Sequence, residues 1–253
     1  MEQRFTGKTV VVTGASSGIG EGIARRFAAE GANVVLAARR KDKLDALAAE
    51  LGPRRMLPVA TDVTKQEDVQ AMIHAGAGRF GGIDVLVSNA GIGIGKEFEV
   101  TTLPDWRLIM STDVDSCFFG AQAALPYLRQ SHGSIIQVAS ASGLGGDRRL
   151  AAYNAAKGAV VNFTRGLAFD LGQYGIRVNA VAPSLTTNEE HALEYRELIE
   201  RFNRRRALAG FSTPDDVAGA VSFLASQDAR FITGTVLPVD GGITAGSGQP
   251  PLF

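Results

Sequence analysis

Tyr153 and Lys157 stand four residues apart in Tyr153-Asn154-Ala155-Ala156-Lys157, an Ala-rich stretch that reads as helix. That spacing puts a phenol and an ammonium on one helix face, where they can act as a unit. A free phenol has a pKa of about 10, too high to exchange protons readily at neutral pH, and a neighbouring cation favours the phenolate. The pair therefore suits proton transfer to or from an oxygen, as in reduction of a carbonyl or oxidation of an alcohol. Ser140 follows the run Ile135-Ile136-Gln137-Val138 and adds a hydroxyl that can bond the same substrate oxygen and position it. Taken alone, the pair is also what a packing tyrosine beside a salt-bridging lysine looks like.

A second chemistry-bearing stretch is Thr13-Gly14-Ala15-Ser16-Ser17-Gly18-Ile19-Gly20. It directly follows the apolar run Thr9-Val10-Val11-Val12 and opens a helical stretch through Glu21 to Ala29. Gly14, Gly18 and Gly20 permit a tight turn and close approach of the backbone to a pyrophosphate, which the amides and dipole at a helix N-terminus favour. With 30 glycines in the chain, position carries the argument more than composition. A strand before and a helix after make a dinucleotide site of what could be an ordinary turn.

The spacing Gly-x-x-x-Gly-x-Gly resembles that of the short-chain dehydrogenase/reductase family, including its 3-oxoacyl-(acyl-carrier-protein) reductase-like members. The resemblance runs from about Gly7 to Gly242 and takes in Thr61-Asp62-Val63, Ser88-Asn89-Ala90-Gly91, Ser140 thirteen residues before Tyr153, Val181-Ala182-Pro183 and Leu237-Pro238-Val239-Asp240-Gly241-Gly242. It implies a doubly wound Rossmann fold and hydride transfer between a nicotinamide and a carbonyl or secondary alcohol. The substrate expected is a 3-oxoacyl thioester or another small ketone. It further implies that Ser16, Ser17 and Ile19 line the cofactor with the glycines, that Asp62 and Val63 hold the adenine, and that Asn89, Ala90 and Gly91 lie along the cofactor. Lys157 is expected to bind the nicotinamide ribose beside Tyr153, and Pro183, Ser184 and Thr186 to clasp the carboxamide. Oligomers are common in the family, so a homotetramer or homodimer is expected.

Four departures sharpen the reading. The run Asn33-Val34-Val35-Leu36 leads to Ala37-Ala38-Arg39-Arg40, where a free ribose 2′-hydroxyl would want a carboxylate. Ala38 has none, whereas Arg39 offers a planar fork for a 2′-phosphate with Arg40 beside it, so the expected cofactor is NADP(H). The glycine loop itself carries Ser16 and Ser17 where NADP(H)-preferring relatives often carry a basic residue. Asp113 falls where the family has an asparagine that anchors a water leading to the lysine, and an ionised Asp113 would be an acid partner for Lys157. Ser184 and Asn188 replace a glycine and a threonine after the sixth strand. A cofactor-binding sensor or scaffold that does no chemistry is the rival reading, with Asp113 in its favour.

The elements that must position these residues recur as β-branched runs followed by Ala- and Leu-rich stretches of helical length. Ile83–Val87, Ser134–Val138 and Ile176–Val181 continue the series begun by the first two runs. Apolar runs without strict alternation suit strands covered on both faces, hence a parallel sheet built from βαβ units. Thr213-Pro214-Asp215-Asp216 reads as a helix start, with that helix continuing through Leu224. At 253 residues with no linker or repeat, the chain reads as one domain, residues 1–253, with loose ends chiefly from Ala245 to Phe253. Between Ser184 and Thr213, acidic residues from Glu189 precede or interleave with Arg196, Arg201, Arg204, Arg205 and Arg206. That order suits one helix, either a solvated salt-bridged face or a lid over the substrate.

Lys plus Arg and Asp plus Glu are both 26, so no global field recruits nucleic acid or an acidic membrane. No window of about 18 uninterrupted apolar residues suggests a membrane span. A lone Cys117 and an N-terminus without an apolar signal run imply a reducing, cytoplasmic location. His74, His132 and His191 show no metal-ligand spacing, so no metal is expected.

Overall fold

The computed structural model describes residues 2–247, so the part of the expected loose end from 248 to 253 lies outside the described residues. Seven parallel strands form one sheet: β1 (Thr9–Thr13), β2 (Asn33–Ala38), β3 (Met56–Ala60), β4 (Val85–Ser88), β5 (Ser134–Val138), β6 (Arg177–Pro183) and β7 (Val236–Val239). Their order across the sheet is β3-β2-β1-β4-β5-β6-β7. Alternate residues face opposite sides, so Val10, Val12, Val34 and Leu36 feed one core while Val11, Val35, Leu86 and Ile135 feed the other. Both faces are covered, and for that reason the central strands read as continuous apolar runs.

On the first side pack α1 (Gly18–Ala29) and α2 (Lys41–Leu51); on the second, α3 (Gln66–Phe80). After β4, α4 (Leu103–Met110) passes through a π turn at Ser111–Asp115 into α5 (Ser116–Ser131). The long α6 (Ala151–Gly172) follows β5, and two short helices, α7 (Glu189–Ala192) and α8 (Arg196–Asn203), lie between β6 and α9 (Pro214–Ala225). A capping box fixes the start of α9: Thr213 Oγ1 accepts from the Asp216 N–H while the Asp216 carboxylate accepts from the Thr213 N–H. This helix packs directly on α1, and a Cβ on Gly22 would come within 2.6 Å of the Pro214 side chain. Glu30, buried beyond the end of α1, ties the N-terminal segment to α9 by accepting from Arg4, Arg26 and Ser222.

Two strands, β3 and β7, have weaker signals than the other five. Both are edge strands, partly exposed, and each holds a proline, Pro58 or Pro238, whose missing N–H an edge tolerates. The single helix expected after Ser184 is in fact broken at 193–195, because charge order supplies only tenths of a kcal/mol, about 0.2–0.5 per pair, and does not fix continuity. Within this segment Arg196 pairs with Glu200, and Arg206 turns inward instead of joining an acidic face.

Candidate active site

The sheet order reverses between β1 and β4, whose following helices leave on opposite sides, and a crevice opens at their C-terminal ends. Thr13, the last residue of β1, stitches the two sides together. Its Oγ1 accepts from the N–H groups of Asn89 (2.9 Å) and Ala90 (3.1 Å), and its carbonyl accepts from Asn89 Nδ2 at 2.8 Å. Gly14 turns with φ +70°, where a Cβ would fall 2.7 Å from Asn89 Nδ2. Gly20, in the first turn of α1, lies so close under the loop that a Cβ would be 2.3 Å from the Gly14 carbonyl oxygen. Gly18, at φ +56°, has open space where a Cβ would be, and Ile19 packs its side chain on the core. The loop is thus closed on its protein side and open on its outer side, the shape a bound pyrophosphate requires.

Ser17 occupies the N-cap of α1 but makes no side-chain cap. Its hydroxyl instead accepts from Arg40 Nη2 at 2.8 Å, and Ser16 Oγ accepts from the same nitrogen at 3.0 Å. The charge missing from the loop's own residues therefore comes from the end of β2. Arg39 lies exposed beside it. Asp62 Oδ1 accepts from the Thr64 N–H and hydroxyl, bonds that with Lys65 and Arg39 hold its carboxyl below the ordinary range, and Val63 is buried in the core beneath. Residues 14–18 also fit the Gly-x-Ser-x-Gly spacing of a hydrolase nucleophile elbow. Ser16, however, is engaged by Arg40, and the histidines lie elsewhere: His74 beside Tyr127, His132 at the end of α5 and His191 against Asn188.

The proton-transfer residues meet on the other side of the crevice. Ser140, two residues past β5, caps a tight turn by accepting from the Ser142 N–H at 3.1 Å, while its Oγ reaches the Pro183 carbonyl at 3.5 Å. That turn presses on α6, where a Cβ on Gly143 would lie 2.6 Å from the Lys157 carbonyl oxygen. Lys157, only 4% exposed, donates from Nζ to the Val138 carbonyl at 3.0 Å and lies 5.7 Å from the Tyr153 ring centroid. The Tyr153 ring faces the loop after β4, with its edge 3.9 Å from where Gly93 would carry a Cβ.

Asp113 is fully buried in the π turn. Its Oδ1 accepts from the Ile92 N–H at 2.8 Å, and its Oδ2 meets Lys157 Nζ at 3.1 Å. The Oδ2 contact is poorly aligned as a hydrogen bond and acts as a charge contact. Burial pulls the Lys157 ammonium down, but Asp113 and Tyr153 outweigh it and hold the lysine above its ordinary range. Burial also pushes the Asp113 carboxyl up, opposed by Lys157 and the Ile92 N–H. Those two influences disagree over the proton, and the donor to Oδ1 together with the contact at Oδ2 favours the charged pair.

The loop after β6 is held by an arginine from the segment that follows it. Ser184 Oγ accepts from Arg206 Nη2 at 3.0 Å, and Arg206 also donates to the carbonyls of Leu185 and Gly210, each at 3.0 Å. Thr186 donates to the Ser184 carbonyl and pairs with Ser212 through a β-bridge. Asn188 caps the short α7. Arg206, one of a run of arginines in the sequence, is thus the brace of this loop. Its single signal would have been the small and glycine residues around it, which leave room for an inward guanidinium.

The fold and crevice define a class, the dinucleotide-binding α/β oxidoreductases. A family profile described as enoyl-(acyl carrier protein) reductase matches residues 14–244. The chain is 46% identical over 249 residues to meso-2,3-butanediol dehydrogenase of Serratia marcescens, covering 98% of this chain and 99% of that one. It is 36% identical to glucose 1-dehydrogenase of Gluconobacter oxydans, over 96% of this chain and 94% of the other. A crystal structure of a glucose/ribitol dehydrogenase-type short-chain dehydrogenase/reductase from Brucella melitensis superposes with a TM-score of 0.88 at 36% identity, covering 96% of this chain and 99% of that chain. The chain belongs to the short-chain dehydrogenase/reductase family. It is an oxidoreductase of that family acting on CH–OH groups, and the family uses a nicotinamide cofactor. No helix among the described residues is long and apolar enough to cross a membrane.

Proposed function

We propose that this chain is an NADP(H)-dependent reductase and dehydrogenase of small ketones and secondary alcohols, with Tyr153 as its acid and base. The observation that carries the reading is the buried Lys157 ammonium beside the Tyr153 ring, at the foot of a crevice whose other wall is the glycine loop. Gly14, Ser16, Ser17, Gly18, Ile19 and Gly20 would hold the pyrophosphate, Asp62 and Val63 the adenine, and Asn89, Ala90 and Gly91 the adjoining ribose. Pro183, Ser184 and Thr186 would border the nicotinamide, with the Ser184 hydroxyl kept in place by Arg206. The bound nicotinamide supplies or accepts the hydride.

The remaining steps belong to the chain. In the reducing direction the Tyr153 hydroxyl gives its proton to the substrate oxygen as negative charge develops there, and in the oxidising direction the phenolate takes it back. Ser140 Oγ donates a hydrogen bond to that oxygen and fixes it against Tyr153. Lys157 favours the phenolate by its charge and would hold the nicotinamide ribose. Residues 184–213 form a lid whose base is the Arg206 brace.

Preference for NADP(H) is supported by Arg40, whose guanidinium is held over the loop by Ser16 and Ser17, next to Arg39 and with no carboxylate at Ala38. A compact hydroxy ketone or vicinal diol is the favoured substrate, supported by the Serratia relative, with 3-oxoacyl thioesters as the second class to try. The cytoplasm is the proposed location, on the single buried cysteine. Exposed Phe118 on α5 and Phe169 on α6 are the surface a homotetramer or homodimer would cover.

The test is a titration of the purified protein with NADPH and with NADH, followed by oxidation of NADPH against a panel of ketones. Tighter NADPH binding with turnover supports the reading. Tight binding with no turnover of any substrate favours the sensor reading, which Asp113 beside Lys157 motivates, and preference for NADH overturns the assignment of Arg39 and Arg40.

A further inference from the structure

The buried contact between Asp113 and Lys157 joins two elements that the chemistry needs in one place, the π turn and α6. Asp113 is 0% exposed, and its Oδ2 lies 3.1 Å from Lys157 Nζ. Gly91 leaves room for the pair and little more. A Cβ there would lie 3.0 Å from Asp113 Oδ2 and 3.1 Å from Lys157 Nζ. The π turn also has its own support, since the Asp113 carbonyl accepts from the Cys117 thiol at 3.2 Å. The Asp113 carboxylate thus lies between the Ile92 N–H and Lys157 Nζ, with its backbone tied to Cys117.

Among the described residues, the charged and titratable groups facing this pair come from three elements. From α6 come Lys157 and Tyr153, from the π turn Asp113, and from α5 Cys117, whose thiol burial pushes up to about 11 and which is therefore neutral at ordinary pH. The loop after β4 presents the Ile92 N–H, and β5 the Val138 carbonyl. Among these the lysine bears the one positive charge, and it is shared between a carboxylate and a phenol.

We propose that Asp113 is a positioning residue that takes up part of the Lys157 charge and so sets the pH at which the Tyr153 hydroxyl gives up its proton. The inference rests on the proposed acid and base role of Tyr153. With Asp113 ionised the pair is neutral as a whole, and a phenolate beside it gains less than it would from a free ammonium. The Asp113 carboxylate thus opposes the help that Lys157 gives a phenolate at Tyr153, and removing its charge leaves a net positive site that favours the phenolate more.

The experiment uses Asp113→Asn, nearly the same size and able to accept from the Ile92 N–H, with Asp113→Glu as the charge-keeping control and Asp113→Ser in reserve should the amide not fold. Two readouts are taken. The first is the pH dependence of kcat for alcohol oxidation, whose acid limb is expected to move down by about one pH unit in Asp113→Asn and to remain in place in Asp113→Glu. The second is tyrosinate ultraviolet absorbance of the cofactor-free protein against pH, with Tyr153→Phe identifying the Tyr153 step. That step is expected to move down by a similar amount in Asp113→Asn. An unmoved or upward-moving step in both readouts overturns the proposal. If wild-type protein turns over no substrate, the proposed activity fails while the absorbance titration still decides the role of Asp113.

Discussion

Arg40 Nη2 lies 2.8 Å from Ser17 Oγ, so a guanidinium from the end of β2 spans the mouth of the glycine loop at the start of α1. A hydroxyl that would ordinarily cap the helix is used instead to orient a cation. The first amides of α1 then have no side-chain acceptor in Ser17, as an anion-binding helix start requires.

This arrangement makes Arg40 a determinant of cofactor choice. Arg40→Ala should weaken NADPH binding by about 10- to 100-fold, the worth of charge-assisted hydrogen bonds to a phosphate, and leave NADH binding within about twofold. Fluorescence titration with both nucleotides checks this. Equal losses for the two would mean that Arg40 only shapes the loop.

Gly20 is the tightest point of the cradle. Gly20→Ala forces a methyl group to within 2.3 Å of the Gly14 carbonyl oxygen and 2.4 Å of Asn89 Nδ2, so the loop must shift against β4. The expected cost is about 1–3 kcal/mol in denaturant unfolding, with loss of affinity for both nucleotides. A position on α3 gives the contrast: Gly78→Ala, where a Cβ meets nothing within 4 Å, should leave both unchanged.

Glu30 provides a pH test of stability. Burial works against its ionised form, but bonds from Arg4, Arg26 and Ser222 outweigh this and hold its carboxyl below the ordinary range. A depressed value in the folded state means stability that is present above the unfolded value and lost as pH falls through the folded one. Glu30→Gln should therefore cost about 2 kcal/mol or more at pH 7, with the gap from wild type closing below about pH 4. Thermal unfolding of both proteins across that range is the measurement; a gap that stays constant with pH contradicts the account.

How much of this could be read from the residues follows from burial. The central strands announce themselves because two covered faces demand unbroken apolar runs such as Val10-Val11-Val12 and Val34-Val35-Leu36. The edge strands β3 and β7 are fainter because one free side admits Pro58 and Pro238 and partial exposure. The glycine loop, Ser140, Tyr153 and Lys157 were legible as residue types at short spacings along the chain. What escaped were contacts between distant elements: Arg40 with Ser16 and Ser17, and Arg206 with Ser184. The π turn at Ser111–Asp115 has no residue signature either, since one extra backbone residue per turn changes no hydrophobic pattern strongly.

Tyr153→Phe tests most directly whether Tyr153 is the acid and base. The phenylalanine ring keeps the packing against the loop after β4 and removes one oxygen. NADPH oxidation with a small ketone that the wild type reduces should fall by about 10² to 10⁴-fold, with the NADPH dissociation constant changed by less than about threefold. Turnover within about threefold of wild type, with NADPH still bound, would contradict the account.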